Sequence, residues 1–168
     1  MTADELVFTL CNNGVVPFWA LLVFAPRWSW TRRLVHSGLF VVLLVPTYAL
    51  MLWSDSPGPQ GAHFFSLAGV MQIFTTPRTV VACWIHYLVF DLFVGAWEAR
   101  DAARRGLPHW VLVPCLLLTL MFGPAGLGLY LLARFWRRRT TTFVEDPTPE
   151  VLRWEDTAEP AEVNRDGR

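Results

Sequence analysis

The chain has 168 residues, of which 54% are hydrophobic and 17% charged, and its formal net charge is zero. That length allows one ordinary domain, and with a mean hydropathy of +0.36 it carries less charge than the roughly 25% of a soluble domain. All fourteen basic residues are arginine, which excludes a lysine Schiff base and a Walker-type phosphate lysine, and the neutral balance gives no reason to expect a nucleic-acid partner.

A bilayer-spanning helix needs roughly 20 mostly apolar residues. Four runs meet that requirement: Leu6 to Pro26, Leu34 to Ser54, Thr79 to Trp97 and Leu107 to Ala133. Trp28, Trp30, Trp53, Trp97, Trp110 and Trp136 fall near the ends of runs, as interfacial aromatic belts do. The first run opens on Asp4 and Glu5 without a basic leader, so it reads as a retained helix rather than a cleaved signal. Ser54 to Gly61 has the chemistry of a loop. Between the second and third runs, Ala62 to Phe74 has apolar residues at helical spacing, but thirteen residues are too few to cross; an interfacial or re-entrant helix is expected. The expected architecture is therefore all-α: four transmembrane helices plus one short interfacial or re-entrant helix over residues 1–139. An acidic, disordered tail is expected over residues 140–168, where Pro147, Pro149 and Pro160 stand among eight acids. With four spans, the arginines after the first and third helices face those after the fourth. The first helix then tips the balance, weakly, towards both termini outside.

Asp91 lies past the middle of the third run. A carboxylate there costs about 2.5–3.5 kcal/mol on insertion scales, so it marks a functional site by default or binds a neighbouring helix. At helical spacing Trp84, Tyr87, Asp91 and Glu98 share one stripe, and Tyr87, four residues away, is placed to hydrogen-bond the acid. His86, five residues from Asp91, points about 140° away with Phe90, Phe93 and Trp97. Asn12, Asn13 and Pro17 in the first run suit interhelical bonding or a site. In the fourth run Pro114 and the stretch Gly123-Pro124-Ala125-Gly126-Leu127-Gly128 either kink the helix or permit close packing. Cys11, Cys83 and Cys115 are small hydrophobic residues in three different spans. The histidines lack metal-binding spacing and no nucleophile elbow occurs; no metal and no cofactor are expected.

One further pattern lies in the order of blocks: Val15-Val16-Pro17-Phe18-Trp19, Phe64-Phe65-Ser66-Leu67, Trp84-Ile85-His86-Tyr87-Leu88 with Asp91-Leu92-Phe93, then His109, Pro114-Cys115-Leu116-Leu117 and Gly123-Pro124-Ala125-Gly126. Over about residues 6 to 134 the chain resembles the abscisic-acid-deficient-four-like (neoxanthin-synthase-like) family of integral membrane proteins. The resemblance implies a small multi-pass protein of carotenoid metabolism, linked in plants to conversion of an epoxycarotenoid into the allenic neoxanthin. The chain shows no plastid transit peptide, so a bacterial plasma membrane is the expected location. Such an isomerisation needs one proton given to the epoxide oxygen and one taken from the adjacent polyene carbon. A carboxylic acid removed from water suits the first step. Asp91 is the candidate acid and His86 the candidate base or polar positioner. Trp84, Tyr87, Trp19 and Asn13 are candidates for lining an apolar groove along the polyene. The expected partners are the lipid bilayer, an apolar pigment or lipid ligand, and a second copy of the chain or other membrane enzymes. The competing class is a non-enzymatic membrane protein that binds a pigment or lipid, or scaffolds a biosynthetic complex.

Overall fold

The computed structural model describes residues 1–53 and 59–139. The expected tail at 140–168 and the loop positions 54–58 lie outside the described residues. Among the described residues eight helices follow one another: α1 (Ala3–Gly14), α2 (Val16–Phe24), α3 (Ser29–Leu34), α4 (Leu39–Leu52), α5 (Leu67–Ile73), α6 (Pro77–Arg104), α7 (His109–Phe122) and α8 (Pro124–Arg138). No strand occurs among the described residues.

Local chemistry sets the starts. Thr2 and Glu5 form a reciprocal capping box at α1, with bonds of 2.7 and 3.2 Å, which satisfies two orphan amides of the first turn. Ser66 caps α5 through the Gly69 amide. Thr76 caps α6, whose first residue is Pro77, where a missing N–H costs nothing. Gly38, at φ 74°, turns the chain from α3 into α4; a side chain would strain that left-handed backbone.

Three stretches are long and apolar enough to cross a bilayer: Ala3–Phe24, Ser29–Leu52 and Pro77–Arg104. Residues such as Val42, Leu43, Leu50, Phe90 and Phe93 stand exposed on them, an apolar surface suited to acyl chains rather than water. α6 is the central column. Its buried Ala82, Gly95, Ala96, Ala99 and Ala102 let neighbouring backbones approach closely. The Trp19 ring lies across Gly95, where an added Cβ would sit 2.7 Å from it. α1–α2 runs parallel to α6, with Asp4 beside Arg78 at 3.7 Å and Phe8 against Trp84. α4 runs antiparallel to α6, pairing Tyr48 with His86 near the middle and His36 with Arg100 near one end.

The expected fourth span is not one helix. It breaks at Gly123, whose φ of 38° and ψ of −92° leave the helical region, and at Pro124, which has no N–H to continue the ladder. The chain then folds back. Gly126 packs so closely on Thr119 that any Cβ would overlap that residue's backbone. At the open end the Arg137 guanidinium lies 5.2 Å over the Trp110 ring. α7 and α8 are thus an antiparallel helical hairpin. At 14 residues α7 is about 21 Å long, short of the ~30 Å hydrocarbon core.

This reversal changes the sidedness expected from four spans. With α7–α8 a returning hairpin, Arg27, Arg32, Arg33, Arg100, Arg104, Arg105, Arg134, Arg137 and Arg139 all stand at one end of the bundle. Among the described residues only Arg78 joins Asp4 and Glu5 at the other. The charge balance that two opposed arginine clusters would have left undecided becomes strongly one-sided, the asymmetry that the positive-inside rule reads in proteins that cross a bilayer. Position 139 lies on the side opposite Thr2, not on the same side as both termini outside would require.

Candidate functional site

Three acids on α6 face the α7–α8 hairpin. Asp91, Glu98 and Asp101 are separated by seven and three residues, which puts them along one side of a helix. Each meets a different chemistry.

Asp101, at the arginine end, is 3% exposed. It accepts from the Tyr130 hydroxyl at 2.7 Å, from Arg134 at 3.0 Å and from Arg105 Nε at 2.9 Å. Tyr130 and Arg134 are themselves buried, at 1% and 0%, and the Arg134 guanidinium also lies over the Trp97 ring. With three donors on two oxygens this carboxylate is occupied: it ties α8 to α6. Glu98 is wholly enclosed and accepts from the Thr119 hydroxyl of α7, 3.0 and 3.2 Å from its two oxygens.

Asp91 differs from both. It sits midway along α6 and is half-buried. One carboxyl oxygen rests against Gly123 at the hairpin tip, so close that a Cβ there would lie 2.6 Å from it. Gly123 is the N-cap of α8, where the helix dipole favours negative charge. Among the described residues no side chain hydrogen-bonds to Asp91. It is the one of the three acids that no side chain satisfies among the described residues.

The other residues singled out in the sequence lie elsewhere. Tyr87 is 59% exposed and turns its ring edge towards His86; the expected bond to Asp91 is not made, because the side chain stands on the outer flank of α6. His86 is exposed and stacks on Phe90 at 4.5 Å and near Tyr48 at 6.1 Å. Trp84 donates its indole N–H to Asn12 at 3.1 Å, so Asn12 makes the α1–α6 link while its neighbour Asn13 is exposed. Trp19 is 3% exposed and packs between α2 and α6. The fold therefore groups Asp91 with Gly123, groups His86 with Tyr87, Phe90 and Tyr48, and leaves Asn13 and Trp19 apart from both groups.

Sequence reasoning missed the Asp101–Tyr130–Arg134 cluster. A signal was present: Tyr130 and Arg134 are four apart on one face of α8, and Asp101 extends the Asp91–Glu98 line by one turn.

A family profile described as ABA DEFICIENT 4-like matches residues 6–130, a stretch that includes Asp91, Glu98 and the hairpin tip. The chain is also similar to the protein named ABA DEFICIENT 4, chloroplastic, of Arabidopsis thaliana: 29% identical over 129 residues, covering 72% of this chain and 57% of that protein. The chain thus spans little more than half the length of that relative. The relative's name assigns it to the chloroplast and lends no support to the expected bacterial plasma membrane. No solved structure matches the chain significantly.

Proposed function

The chain belongs to the ABA DEFICIENT 4-like family, and from that premise we propose that it is a membrane-embedded isomerase of carotenoid metabolism that opens an epoxide without a cofactor. The observation that carries this reading is Asp91: a carboxyl group midway along α6, beside the hairpin tip, with no side-chain partner among the described residues.

In this reading Asp91 in its acid form protonates the epoxide oxygen as a C–O bond breaks. Its carboxylate then removes a proton from the adjacent polyene carbon, which regenerates the acid and leaves an allenic alcohol. No electrons are gained or lost, and the product is an isomer of the substrate. In this reading one carboxyl group serves both steps, supported by the ring neighbours of His86 being Phe90, Tyr87 and Tyr48. His86, Phe90 and Tyr87 then offer ring surface along the outer flank of α6 for the polyene. That same exposed aromatic surface supports the second reading, a protein that holds a pigment without altering it.

The test is expression of the chain in a host that supplies an epoxycarotenoid, with chromatography of the extracted pigments. The allenic product is expected, and Asp91→Asn should lower its yield by about 10²-fold or more, as loss of a general acid does. Unchanged yield in that variant removes Asp91 from the acid role. Pigment that copurifies unaltered favours the carrier.

A further inference from the structure

A cavity of about 390 Å³ opens at the arginine end, between the close of α2, the α3 turn and the junction of α6 with α7. It is within the usual size range of ligand pockets, and it is far from Asp91 along α6. Its rim carries Arg27, Arg32, Arg100 and Arg104, with His36. No acid lines it among the described residues, and no acidic side chain there pairs with Arg27 or Arg32. Its floor is apolar: Ala102, Leu107 and Leu112 are 2–4% exposed. The shape is held from two sides, since His109 Nε2 lies 2.7 Å from the Val23 carbonyl and His36 lies 3.4 Å from Arg100.

Guanidinium groups match phosphate oxygens in geometry and charge. A cationic rim over an apolar floor, at the membrane face where anionic headgroups are found, is complementary to a molecule with the same division. We propose that this cavity binds the phosphate group of a membrane amphiphile, with the head on Arg27 and Arg32 and the start of the chain on Leu107 and Leu112. This inference stands apart from the isomerase reading and survives its failure.

The complete chain, purified in detergent, is titrated with phosphatidylglycerol, phosphatidylcholine and inorganic pyrophosphate, and bound molecules are counted by native mass spectrometry. Arg27→Gln/Arg32→Gln is compared with Arg33→Gln/Arg137→Gln. The second pair removes the same charge from the same face outside the cavity, and all four side chains are exposed, so both variants should fold. Tight binding of phosphatidylglycerol over phosphatidylcholine is expected, weakened about tenfold or more by the first pair and less than threefold by the second. Equal losses from both pairs would reduce the effect to general attraction between a basic face and anionic lipid and overturn the site. Pyrophosphate binding as tightly as phosphatidylglycerol would make the ligand a free phosphate and overturn the amphiphile.

Discussion

Replacing Arg134 by glutamine removes one partner from the buried cluster that ties α8 to α6. Breaking a buried ion pair from one side costs about 3–5 kcal/mol. Asp101 keeps the Tyr130 hydroxyl and Arg105 Nε, which places the expected loss near the lower figure, about 3 kcal/mol. The two other arginines around Asp101 provide an internal scale. Arg105, with its side chain 13% exposed and its contact at 2.9 Å, should cost about 1–2 kcal/mol as a charge-assisted bond that water partly replaces. Arg104, 43% exposed and 3.9 Å away, is a surface pair of about 0–1 kcal/mol. At about 2–4 °C per kcal/mol for a chain of this size, Arg134→Gln should lower the midpoint of thermal unfolding in detergent by about 6–12 °C. Arg104→Gln should lower it by at most about 4 °C. The double variant Asp101→Asn/Arg134→Gln removes both fully buried charges and leaves Arg105 without its carboxylate, so its loss should be smaller than the sum of the two single losses. An Arg104→Gln loss equal to that of Arg134→Gln, or an unmoved midpoint for Arg134→Gln, would refute the burial argument.

Gly126→Ala should force α8 off Thr119 and sharply reduce folded yield by size-exclusion chromatography. Gly128→Ala, which meets nothing within 4 Å, should leave that yield unchanged. The reversal at Gly123–Pro124 predicts that single cysteines at Thr2 and Arg139, in a background with Cys11, Cys83 and Cys115 changed to serine, are labelled from opposite faces of a sealed vesicle; labelling from one face would restore four crossings. Gly95→Leu should push the Trp19 ring from its place and abolish folding, while Gly95→Leu/Trp19→Ala should recover measurable folded protein. If the pair is as damaged as the single change, Trp19 is not what Gly95 accommodates.

The long apolar helices were legible where hydrophobicity alone decides. The third run reads as Thr79 to Trp97, yet α6 continues to Arg104. The reading stops where Glu98, Asp101 and Arg104 begin, because a composition scan counts their charges and cannot see Thr119, Tyr130 and Arg134 arriving to satisfy two of them. The Gly123–Pro124 break was visible as a choice between a kink and close packing. The reversal itself brings Thr119 against Gly126 so closely that no Cβ fits, a pair that only the folded chain brings together. The position of Asp91 within its helix was legible; the glycine backbone beside it was not, being 32 residues away in sequence. Asn12 and Asn13 are adjacent and alike in chemistry, and which one meets Trp84 depends on the rotation of α1 about its own axis.

The returning hairpin bears on how the protein enters its membrane during synthesis. A fourth crossing would have to carry Arg134 and the three arginines at 137–139 through hydrocarbon to the far compartment. Because α8 doubles back, Arg134 and Arg137 instead lie at the end of the bundle that holds Asp101 and Trp110. A hairpin of this kind would present only its apolar tip to hydrocarbon, and Arg134 would meet its carboxylate without crossing.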